Sequence, residues 1–387
     1  MFLYFIVAHR VAHHAATLCK RQKYKIKSYR MTKVEKIMYL CKMFKQLDQR
    51  PFVVAGPCSA ESREGLRSVA TALGSTGRVS MVRAGVWKPR TRPGGFEGLG
   101  EPALVWMQEL QDETGLPFCC EVVNPKQVEL CLQHHINTLW IGARTTANPF
   151  LVSELCESLR GTGVAIMVKN PVCPDVRLWL GALERLASAG ISQVAAVHRG
   201  FAMYHNHGYR NAPLWEVALE LRRERPDVPV LCDPSHMGGR RDLVAPLAHT
   251  AMQLAYDGLM VEVHHSPDQA LTDADQQITP AELDDLLAKL PVCKSSTLSS
   301  PDDPLGALRS QIDAIDRELL VLLAQRMGLS RQIAAVKRPL GLSVYQPDRW
   351  EAVVTDRLQQ AEALGLDADF TKEILERIHA ESVRVQL

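Results

Sequence analysis

The chain has 387 residues, a length that suggests two or three domains. Its net charge is +2 and its composition is ordinary for a soluble protein, so neither nucleic acid nor a charged membrane surface is indicated as a partner. We expect no membrane span, because no apolar run reads as long enough. Ten cysteines occur without the spacing of a disulfide framework, which predicts a reducing, cytoplasmic location.

Residues 1–48 are predicted to be an N-terminal extension. The opening MFLYFIVA is apolar but short, no basic residue precedes it, and a basic, histidine-rich stretch follows to Arg30, so it lacks the order of a secretory signal. We expect residues 1–30 to be disordered or to precede the true start at Met31. Residues 32–48 have apolar side chains at roughly helical spacing and predict one amphipathic helix.

From Pro51 onward, short β-type runs alternate with amphipathic helical segments. Eight strand–helix units within about 240 residues match the size of a TIM (β/α)8 barrel, and we assign residues 49–290 to this α/β fold. A doubly wound parallel sheet is the alternative, but no glycine-rich dinucleotide fingerprint follows the first strand. The predicted strands are Phe52–Ala55, Val79–Ala84, Pro117–Val122, Thr138–Ile141, Ala165–Lys169, Gln193–Val197, Val228–Cys232 and Leu259–Val263.

The first predicted strand ends at Cys58. Gly56 and Pro57 break the apolar run PFVVA and present the cysteine at a carboxyl strand end, the edge where barrel enzymes keep their chemistry. A lone cysteine in an apolar segment is more often inert core filling than a ligand. Its interpretation therefore depends on what the other strand ends carry.

Basic side chains follow several of the other predicted strands. Several cations facing one barrel mouth would repel one another unless an anion lay between them. Arginine forks match the oxygen atoms of carboxylates and phosphates. The sequence therefore predicts a mouth that binds phosphorylated, carboxylated small molecules, through Arg83, Lys88, Arg90, Arg144, Lys169 and Arg199.

Three potential metal ligands come from strands that adjoin in a closed barrel. Cys58 follows the first strand, His236 lies in the DPSH motif after the seventh, and Glu262 lies in the eighth. One thiolate, one imidazole and one carboxylate are a plausible set for a divalent metal ion. Mn, Fe, Co and Zn all tolerate such mixed ligands, so the identity of the metal stays open.

Over residues 51–290 the chain resembles the metal-dependent 3-deoxy-D-arabino-heptulosonate 7-phosphate (DAHP) synthases, type I, of the β branch. The motifs are GPCSAES, VRAGVWKPRT, GAR, VKNP, HRGF, DPSH and EVHHSPDQALTD, in this order. The resemblance implies a TIM barrel that condenses phosphoenolpyruvate with erythrose 4-phosphate, the first step of aromatic biosynthesis. The close alternative is an octulosonate-phosphate synthase, which uses arabinose 5-phosphate, but KPRT favours the four-carbon acceptor.

The resemblance also implies roles for individual residues. Lys88 would donate a proton to the developing alkoxide or orient the attacking water. The implied metal ligands are Cys58, His236, Glu262 and Asp273, for one divalent ion per barrel. The implied phosphoenolpyruvate contacts are Arg83, Lys88, Arg144, Lys169 and Arg199, and the implied erythrose 4-phosphate contacts are Arg90 and Thr91.

A linker and a long helix follow the barrel. Residues 291–304 are rich in serine and proline and predict an exposed linker. Apolar residues then recur in steps of four and three up to Val336, which predicts one helix of about 35 residues. Such a helix is too long for a compact small domain unless it packs on a partner chain. Arg326 occupies one apolar position of this seam, and Lys337 lies on nearly the same face.

Residues 305–387 resemble the all-α chorismate mutases of the AroQ class, whose three-helix chains form intertwined dimers. The motifs are LGALRSQIDAIDRELLVLLAQRM, AAVK, DRWE and ESVRVQ. The resemblance implies a homodimer and rearrangement of chorismate to prephenate, with Arg326, Lys337 and Gln386 as the catalytic groups. The implied substrate-binding residues are Arg326, Lys337, Arg349, Ser382 and Gln386, with Arg309 supplied by the partner chain.

One position departs from this pattern. The family often has a glutamate directly after the arginine of the third motif, whereas here Trp350 follows Arg349 and the glutamate is Glu351. One helical position is a rotation of about 100°. We therefore expect the contact to the substrate hydroxyl to be lost or rearranged. The alternative is that the helical domain is mainly a sensor, which binds chorismate or prephenate and transmits feedback to the barrel.

Overall fold

The computed structural model of the chain describes residues 51–88, 94–204, 208–291 and 304–387. The chain divides into two compact units, one ending at Lys294 and the other beginning at Ser295. The predicted extension of residues 1–48, most of the predicted linker, and Arg90 and Thr91 lie outside the described residues.

The first unit is a closed barrel of eight parallel strands in chain order, which confirms the predicted fold. Strand β8 pairs with β1 from Phe52↔Gly258 to Gly56↔Glu262, and this pairing closes the sheet and excludes the doubly wound alternative. The strands are β1 Phe52–Gly56, β2 Met81–Arg83, β3 Phe118–Val122, β4 Thr138–Ile141, β5 Ala165–Lys169, β6 Val194–His198, β7 Val230–Cys232 and β8 Gly258–Glu262.

Helices surround this barrel, and local caps determine where several of them begin. The Ser62 side chain accepts a hydrogen bond from the Gly65 backbone at the start of α1, and Thr279 and Glu282 form a capping box at the start of α10. The helices are α1 Arg63–Thr76, α2 Glu101–Thr114, α3 Pro125–Gln133, α4 Ala143–Thr146, α5 Pro149–Leu159, α6 Val176–Ser188, α7 Trp215–Glu224, α8 Pro234–Gly238, α9 Val244–Gln253 and α10 Pro280–Lys289.

The barrel strands divide their side chains between two cores. A large apolar cluster fills the space between strands and helices. A smaller one fills the barrel interior, with Val54, Met81, Cys119, Trp140, Ala165, Met167, Ala195, Val197, Leu231 and Met260. Because strand side chains alternate, the inner residue of each strand determines which residue of that strand points into the barrel mouth.

The second unit contains three helices, α11 Pro304–Lys337, α12 Pro347–Ala363 and α13 Ala368–Arg384. Helix α11 has 34 residues, close to the predicted length. Its predicted apolar seam is exposed in the single chain, from Ile333 at 49% to Val336 at 62%. The other seam residues in that range are Leu308, Ile312, Ile315, Leu319, Leu322 and Leu329.

By length and composition, one part of α11 is also apolar enough to cross a membrane. This stretch, Leu308–Lys337, is mostly exposed in the single chain. The expectation that no run has the length for a span was therefore wrong on those two criteria. A single such helix is weak evidence for a membrane, and this one carries Arg326 and Arg331 in its apolar half.

Candidate active sites

One residue at the end of each barrel strand, or directly after it, contributes to a layer at the carboxyl mouth. Each lies two positions after a side chain of the interior cluster, so strand alternation points it into the barrel. The layer holds three cations and three carboxylates, so the number of negative charges in it equals the number of positive charges. In strand order its members are Gly56, Arg83, Glu121, Gly142, Lys169, Arg199, Asp233 and Glu262.

Two buried ion pairs lie in this layer. Arg83 Nη2 is 3.0 Å from Glu262 Oε1, and Lys169 Nζ is 2.9 Å from Asp233 Oδ2. Among the described residues, Nε and Nη1 of Arg83 have no hydrogen-bond partner although they are buried. Buried donors normally have partners, so these two atoms are suited to a bound carboxylate or phosphate.

The two glycines of the layer make room for charged neighbours. A Cβ atom on Gly56 would lie 2.2 Å from the carbonyl oxygen of Arg83, and one on Gly142 would lie 2.1 Å from Glu121 Oε1. Real Cβ atoms do not approach other atoms so closely. A side chain at either position would therefore displace strand β2 or the Glu121 carboxylate.

Above the layer, a cavity of about 620 Å³ opens between the strand-end loops. Arg199 is held there by Asn211, whose Oδ1 accepts a hydrogen bond from Arg199 Nη1 at 2.5 Å. Burial lowers the pKa of Arg199 to about 10, although Asp233 opposes the shift, so the guanidinium stays charged at neutral pH. Six of the predicted site residues line the cavity: Lys88, Arg144, Lys169, Arg199, His236 and Asp273.

Lys88 lies beside the predicted metal ligands. Its Nζ donates to the carbonyl oxygen of Cys58 at 3.0 Å. Burial lowers the pKa of Lys88, but neighbouring acidic groups outweigh this effect, so the pKa is raised overall. The side chain therefore stays a protonated ammonium group at neutral pH and lines the cavity.

Three of the four predicted metal ligands converge. Candidate ligand atoms of Cys58, Glu262 and Asp273 lie within 4.8 Å of one another, and Cys58 Sγ donates to Asp273 Oδ2 at 3.1 Å. His236, the fourth, has its Nε2 3.7 Å from Glu262 Oε1. Its Nδ1 lies 2.8 Å from Asp233 Oδ2, so the two ring nitrogens face the carboxylates of Asp233 and Glu262. The donor set fits a divalent ion.

The charges around these donors also suit a cation. Burial, reinforced by Glu262, raises the pKa of the Cys58 thiol to about 12, so without a cation the thiol keeps its proton. Burial lowers the pKa of His236, which keeps the imidazole in its neutral, ligating form. Burial alone would raise the pKa of Asp273, but the charge of Arg210 holds it well below its usual range. A divalent ion bound here would displace the proton of the Cys58 thiol and would be coordinated by the ionised carboxylates of Glu262 and Asp273.

The sequence interpretation missed two residues at this mouth. Glu121 accepts a hydrogen bond from Trp140 Nε1 at 3.1 Å and lines the cavity. Strand alternation could have found it, since it lies two positions after the interior residue Cys119. Arg210 lies in the loop after β6, with its Nη1 3.0 Å from Asp273 Oδ1. No local pattern marks Arg210, because its loop is brought to Asp273 only by the closed barrel.

The helical unit brings together part of its predicted site. Arg326 Nη1 donates to Ser382 Oγ, and Gln386 Nε2 donates to the carbonyl oxygen of Ser382 at 2.9 Å. Oε1 of Gln386 is buried and has no partner among the described residues. Lys337 Nζ donates to the carbonyl oxygen of Val344 at 2.7 Å. Arg326 and an unpaired amide oxygen thus lie between α11 and α13, while the Lys337 ammonium is held by the loop after α11.

The two remaining predicted residues of this site, Arg309 and Arg349, have exposed side chains. Arg309 lies 17 positions before Arg326 on the same helix, or about 26 Å along its axis. One small molecule cannot bind both side chains of one chain. The supply of Arg309 by a partner chain therefore stays a prediction.

Trp350 contacts a residue that the sequence interpretation did not single out. Its indole stacks on the His379 ring, with centroids 3.9 Å apart and an interplanar angle of 21°. Burial lowers the pKa of His379, and the charge of Arg326 lowers it further. An aromatic stack thus stands beside Arg326 at the position where the resemblance implied a carboxylate.

Comparisons with known proteins follow the division into two units. A model of the DAHP synthetase I family matches residues 26–297, and a model of chorismate mutase type II matches residues 308–387. Phospho-2-dehydro-3-deoxyheptonate aldolase of Thermotoga maritima is 33% identical over 226 residues, which cover 58% of this chain and 64% of that protein.

Two further similarities agree with this division. The T-protein of Enterobacter agglomerans is 42% identical over 78 residues, which cover 20% of this chain and 21% of that protein. A crystal structure of the Thermotoga maritima phospho-2-dehydro-3-deoxyheptonate aldolase (DAHP synthase) matches with a TM-score of 0.56 and 30% identity, covering 62% of this chain and 68% of that one. The chain thus spans 64% of the length of the first curated relative and about a fifth of the second.

Proposed function

The chain belongs to the DAHP synthetase I family and ends in a region that matches chorismate mutase type II, and we propose that it is a bifunctional enzyme of aromatic biosynthesis. Its barrel would condense phosphoenolpyruvate with erythrose 4-phosphate to DAHP and phosphate. Its helical unit would rearrange chorismate to prephenate. The motifs that carry the resemblance favour the β branch of type I.

The observation that carries the barrel activity is the composition of its mouth. Unpaired buried donors of Arg83 lie in the same layer as the Lys169–Asp233 pair and below the cavity that Arg144 and Arg199 line. This arrangement supplies several fixed cations for the carboxylate and the phosphate of phosphoenolpyruvate. Holding both anionic groups fixes the attack geometry of C3 and lowers the entropic part of the barrier.

The condensation then needs a polarised aldehyde and a proton source. A divalent ion bound by Cys58, His236, Glu262 and Asp273 would supply Lewis-acid polarisation of the aldehyde oxygen. Lys88 holds a proton at Nζ, beside the Cys58 carbonyl, and would deliver it to the oxygen that becomes a hydroxyl when C3 bonds to the aldehyde carbon. Water then adds at C2 and phosphate leaves, in a region where Glu121 lines the cavity.

The acceptor is assigned from the KPRT motif. Arg90 and Thr91 would contact erythrose 4-phosphate, and both lie outside the described residues. Lys88, the first residue of the motif, lines the cavity. The alternative acceptor is arabinose 5-phosphate, which an octulosonate-phosphate synthase would use.

The helical unit would act by positioning charge. The rearrangement of chorismate is pericyclic and needs no acid or base. Arg326, with Arg349 and a partner's Arg309, would hold the two carboxylates in a compact conformer, while Ser382 would contribute a hydroxyl contact. Lys337 and Gln386 would stabilise negative charge on the ether oxygen, which requires the Gln386 Nε2 group to exchange its bond to the Ser382 carbonyl for one to the substrate.

We also propose that the helical units of two chains form a homodimer. The seam of α11 is about half exposed at every predicted position, and leaving so much apolar surface in water is costly. A second α11 would cover the seam and bring in Arg309. Free thiols at all seven described cysteines agree with a reducing, cytoplasmic location, and the net charge of +2 agrees with the absence of a nucleic-acid partner.

The first test is a pair of assays on chelator-treated full-length protein. We expect phosphate release from phosphoenolpyruvate plus erythrose 4-phosphate only after Mn, Fe, Co or Zn ions are added, whereas chorismate loss should not need the metal. Condensation without chorismate turnover, but with inhibition by prephenate, would make the helical unit a sensor. No condensation with erythrose 4-phosphate, but condensation with arabinose 5-phosphate, would overturn the acceptor.

A further inference from the structure

Two consecutive amide side chains reach from one short turn to two of the proposed metal ligands. Gln276 Nε2 donates to Glu262 Oε2 at 2.6 Å, and Gln277 Oε1 accepts from the Cys58 backbone nitrogen at 3.0 Å. Both glutamines are buried, with 1% and 0% exposure. The turn, Ala274–Gln276, directly follows Asp273. The chain segment directly after Asp273 therefore forms hydrogen bonds to two other proposed ligand residues, Glu262 in β8 and Cys58 after β1.

The remaining atoms of both amides are also used. Gln277 Nε2 donates to the carbonyl oxygen of Thr272 at 2.8 Å, so this one side chain links the residue before Asp273 to Cys58. Gln276 Oε1 accepts from Arg210 Nη1 at 2.6 Å. That Nη1 atom also lies 3.0 Å from Asp273 Oδ1. Each amide thus has its orientation determined by a donor and an acceptor at once.

The backbone of Asp273 adopts an unusual conformation that these contacts can stabilise. Its φ of 49° and ψ of 39° are in the left-handed region, which a side chain other than glycine adopts only at a cost. Such a conformation persists where the surroundings hold it. The Gln277 bond to Thr272 is next to this residue, and the Leu271 nitrogen is anchored in turn by Glu61 Oε1 at 2.9 Å.

We propose that Gln276 and Gln277 are positioning residues that assemble the metal site before an ion binds. They keep Cys58, Glu262 and Asp273 at ligand spacing although these residues come from opposite ends of the barrel sequence. Amides that served only for core packing would not be expected to form hydrogen bonds to two proposed ligand residues, Cys58 and Glu262. The proposal rests on the proposed function, since it assumes that these residues hold a divalent ion.

The test uses cobalt titration of metal-free, full-length protein. The thiolate-to-cobalt absorption band reports ligation by Cys58, independently of turnover. Gln277→Met and Gln276→Met keep the side-chain length and remove only the hydrogen-bonding atoms. We expect each to raise the cobalt Kd roughly 10- to 100-fold, the usual effect of losing a group that orients a ligand. Gln269→Met, an exposed change in the same loop, should leave the Kd unchanged.

The outcomes separate the inference from the proposed function. If the unchanged protein binds no cobalt, or binds it without the thiolate band, the proposed metal site is wrong and this inference fails with it. If the unchanged protein binds cobalt but both variants match Gln269→Met, the positioning role alone is overturned. Chorismate turnover and the thermal unfolding midpoint, measured on the same samples, show whether a variant has lost its fold rather than its ligand geometry.

Discussion

Arg83 in the barrel and Arg326 in the helical unit are both candidate anion-binding arginines, but their surroundings are opposite. Arg83 is 1% exposed and pairs with Glu262 at 3.0 Å. Burial would lower its pKa, yet Glu262 and Asp233 raise it overall. Arg326 lies on an exposed stretch of α11, and burial lowers its pKa without a carboxylate among the described residues to offset the shift.

The difference shows how each site is assembled. A closed barrel brings eight strand ends together in one chain, so its cations are already accompanied by carboxylates of the same layer. A long helix presents its arginines along an exposed seam, and only a ligand or a second chain can complete their surroundings. The barrel site should therefore respond to changes within one chain, and the helical site also to changes in its partner.

The largest expected effect separates the two activities. Cys58→Ala should reduce condensation by roughly 10³-fold or more, because it removes a ligand of an ion that contributes several kcal/mol as a Lewis acid. Chorismate turnover should not change, and both activities are measured on one preparation. Cys173→Ala, at an exposed free cysteine, is the control. Equal loss of both activities would mean that the units are coupled or that the variant unfolds.

The reverse change is Arg326→Ala. It removes the charged contact to Ser382 and the group that would hold a substrate carboxylate, so chorismate turnover should fall by roughly 10²- to 10³-fold. Condensation should be retained. Arg331→Ala, at an exposed position on the same helix, serves as the control. Full mutase activity in Arg326→Ala would remove this arginine from the site.

Mixing two inactive variants tests whether the site is shared. An Arg309→Ala chain paired with an Arg326→Ala chain would contain one intact site, if Arg309 comes from the partner. Random exchange should therefore restore roughly a quarter of the chorismate turnover in an equimolar mixture. Recovery is measured after mixing under conditions that allow subunit exchange. No recovery in a mixture that demonstrably contains mixed dimers would mean that the partner chain's Arg309 does not complete the site that holds Arg326.

A smaller effect is expected at the Trp350–His379 stack. Trp350→Glu would restore a carboxylate where the resemblance implied a contact to the substrate hydroxyl. We expect kcat/KM for chorismate to rise by up to roughly tenfold, which is the value of a hydrogen bond to a charged group. Trp350→Gln is the uncharged control. A decrease with both variants would mean that the stack itself supports the site.

The last expected effect is on stability rather than activity and concerns His198, which is fully buried against Tyr256, with its Nδ1 2.8 Å from the phenol oxygen. Burial lowers the pKa of His198 to about 3. Below pH 6.5 the unfolded chain binds a proton that the folded barrel does not, so stability should fall as pH decreases from about 6.5 to 3. The slope is at most about 1.4 kcal/mol per pH unit.

Denaturant unfolding of metal-free protein at several pH values measures this slope. His198→Asn keeps a hydrogen-bonding atom near the Nδ1 position and does not titrate, so its stability should depend less on pH than that of the unchanged chain. The comparison cancels the contributions of the carboxylates, which are common to both proteins. Identical slopes would show that His198 is protonated in the folded barrel.

Most of the fold could be predicted from the sequence, but only some of the residues at the candidate site could. The eight strands are as predicted in order, and β4 and β5 have the predicted bounds. Strand β2 is shorter than predicted, Met81–Arg83 rather than Val79–Ala84, because apolar composition extends beyond the residues that pair. Composition marks a strand, but pairing determines where it ends.

Residue types at the strand ends were sufficient to predict cations and metal donors, because parallel strands in a barrel open at one mouth. Glu121 was overlooked although its alternation with Cys119 was readable from the sequence. Arg210 and Gln277 could not have been found in this way. Their contacts join positions 63 and 219 residues apart, and no local pattern encodes which loops a closed barrel brings together.

The alternating strands and helices, the charged strand ends and the seam of α11 can all be predicted from local spacing along the chain. The folded protein alone reveals which carboxylate pairs with which cation, that Asp273 adopts a left-handed backbone, and that Trp350 stacks on His379. These features arise from chain segments far apart in sequence, whose proximity depends on closing the sheet and packing the helices rather than on any local propensity.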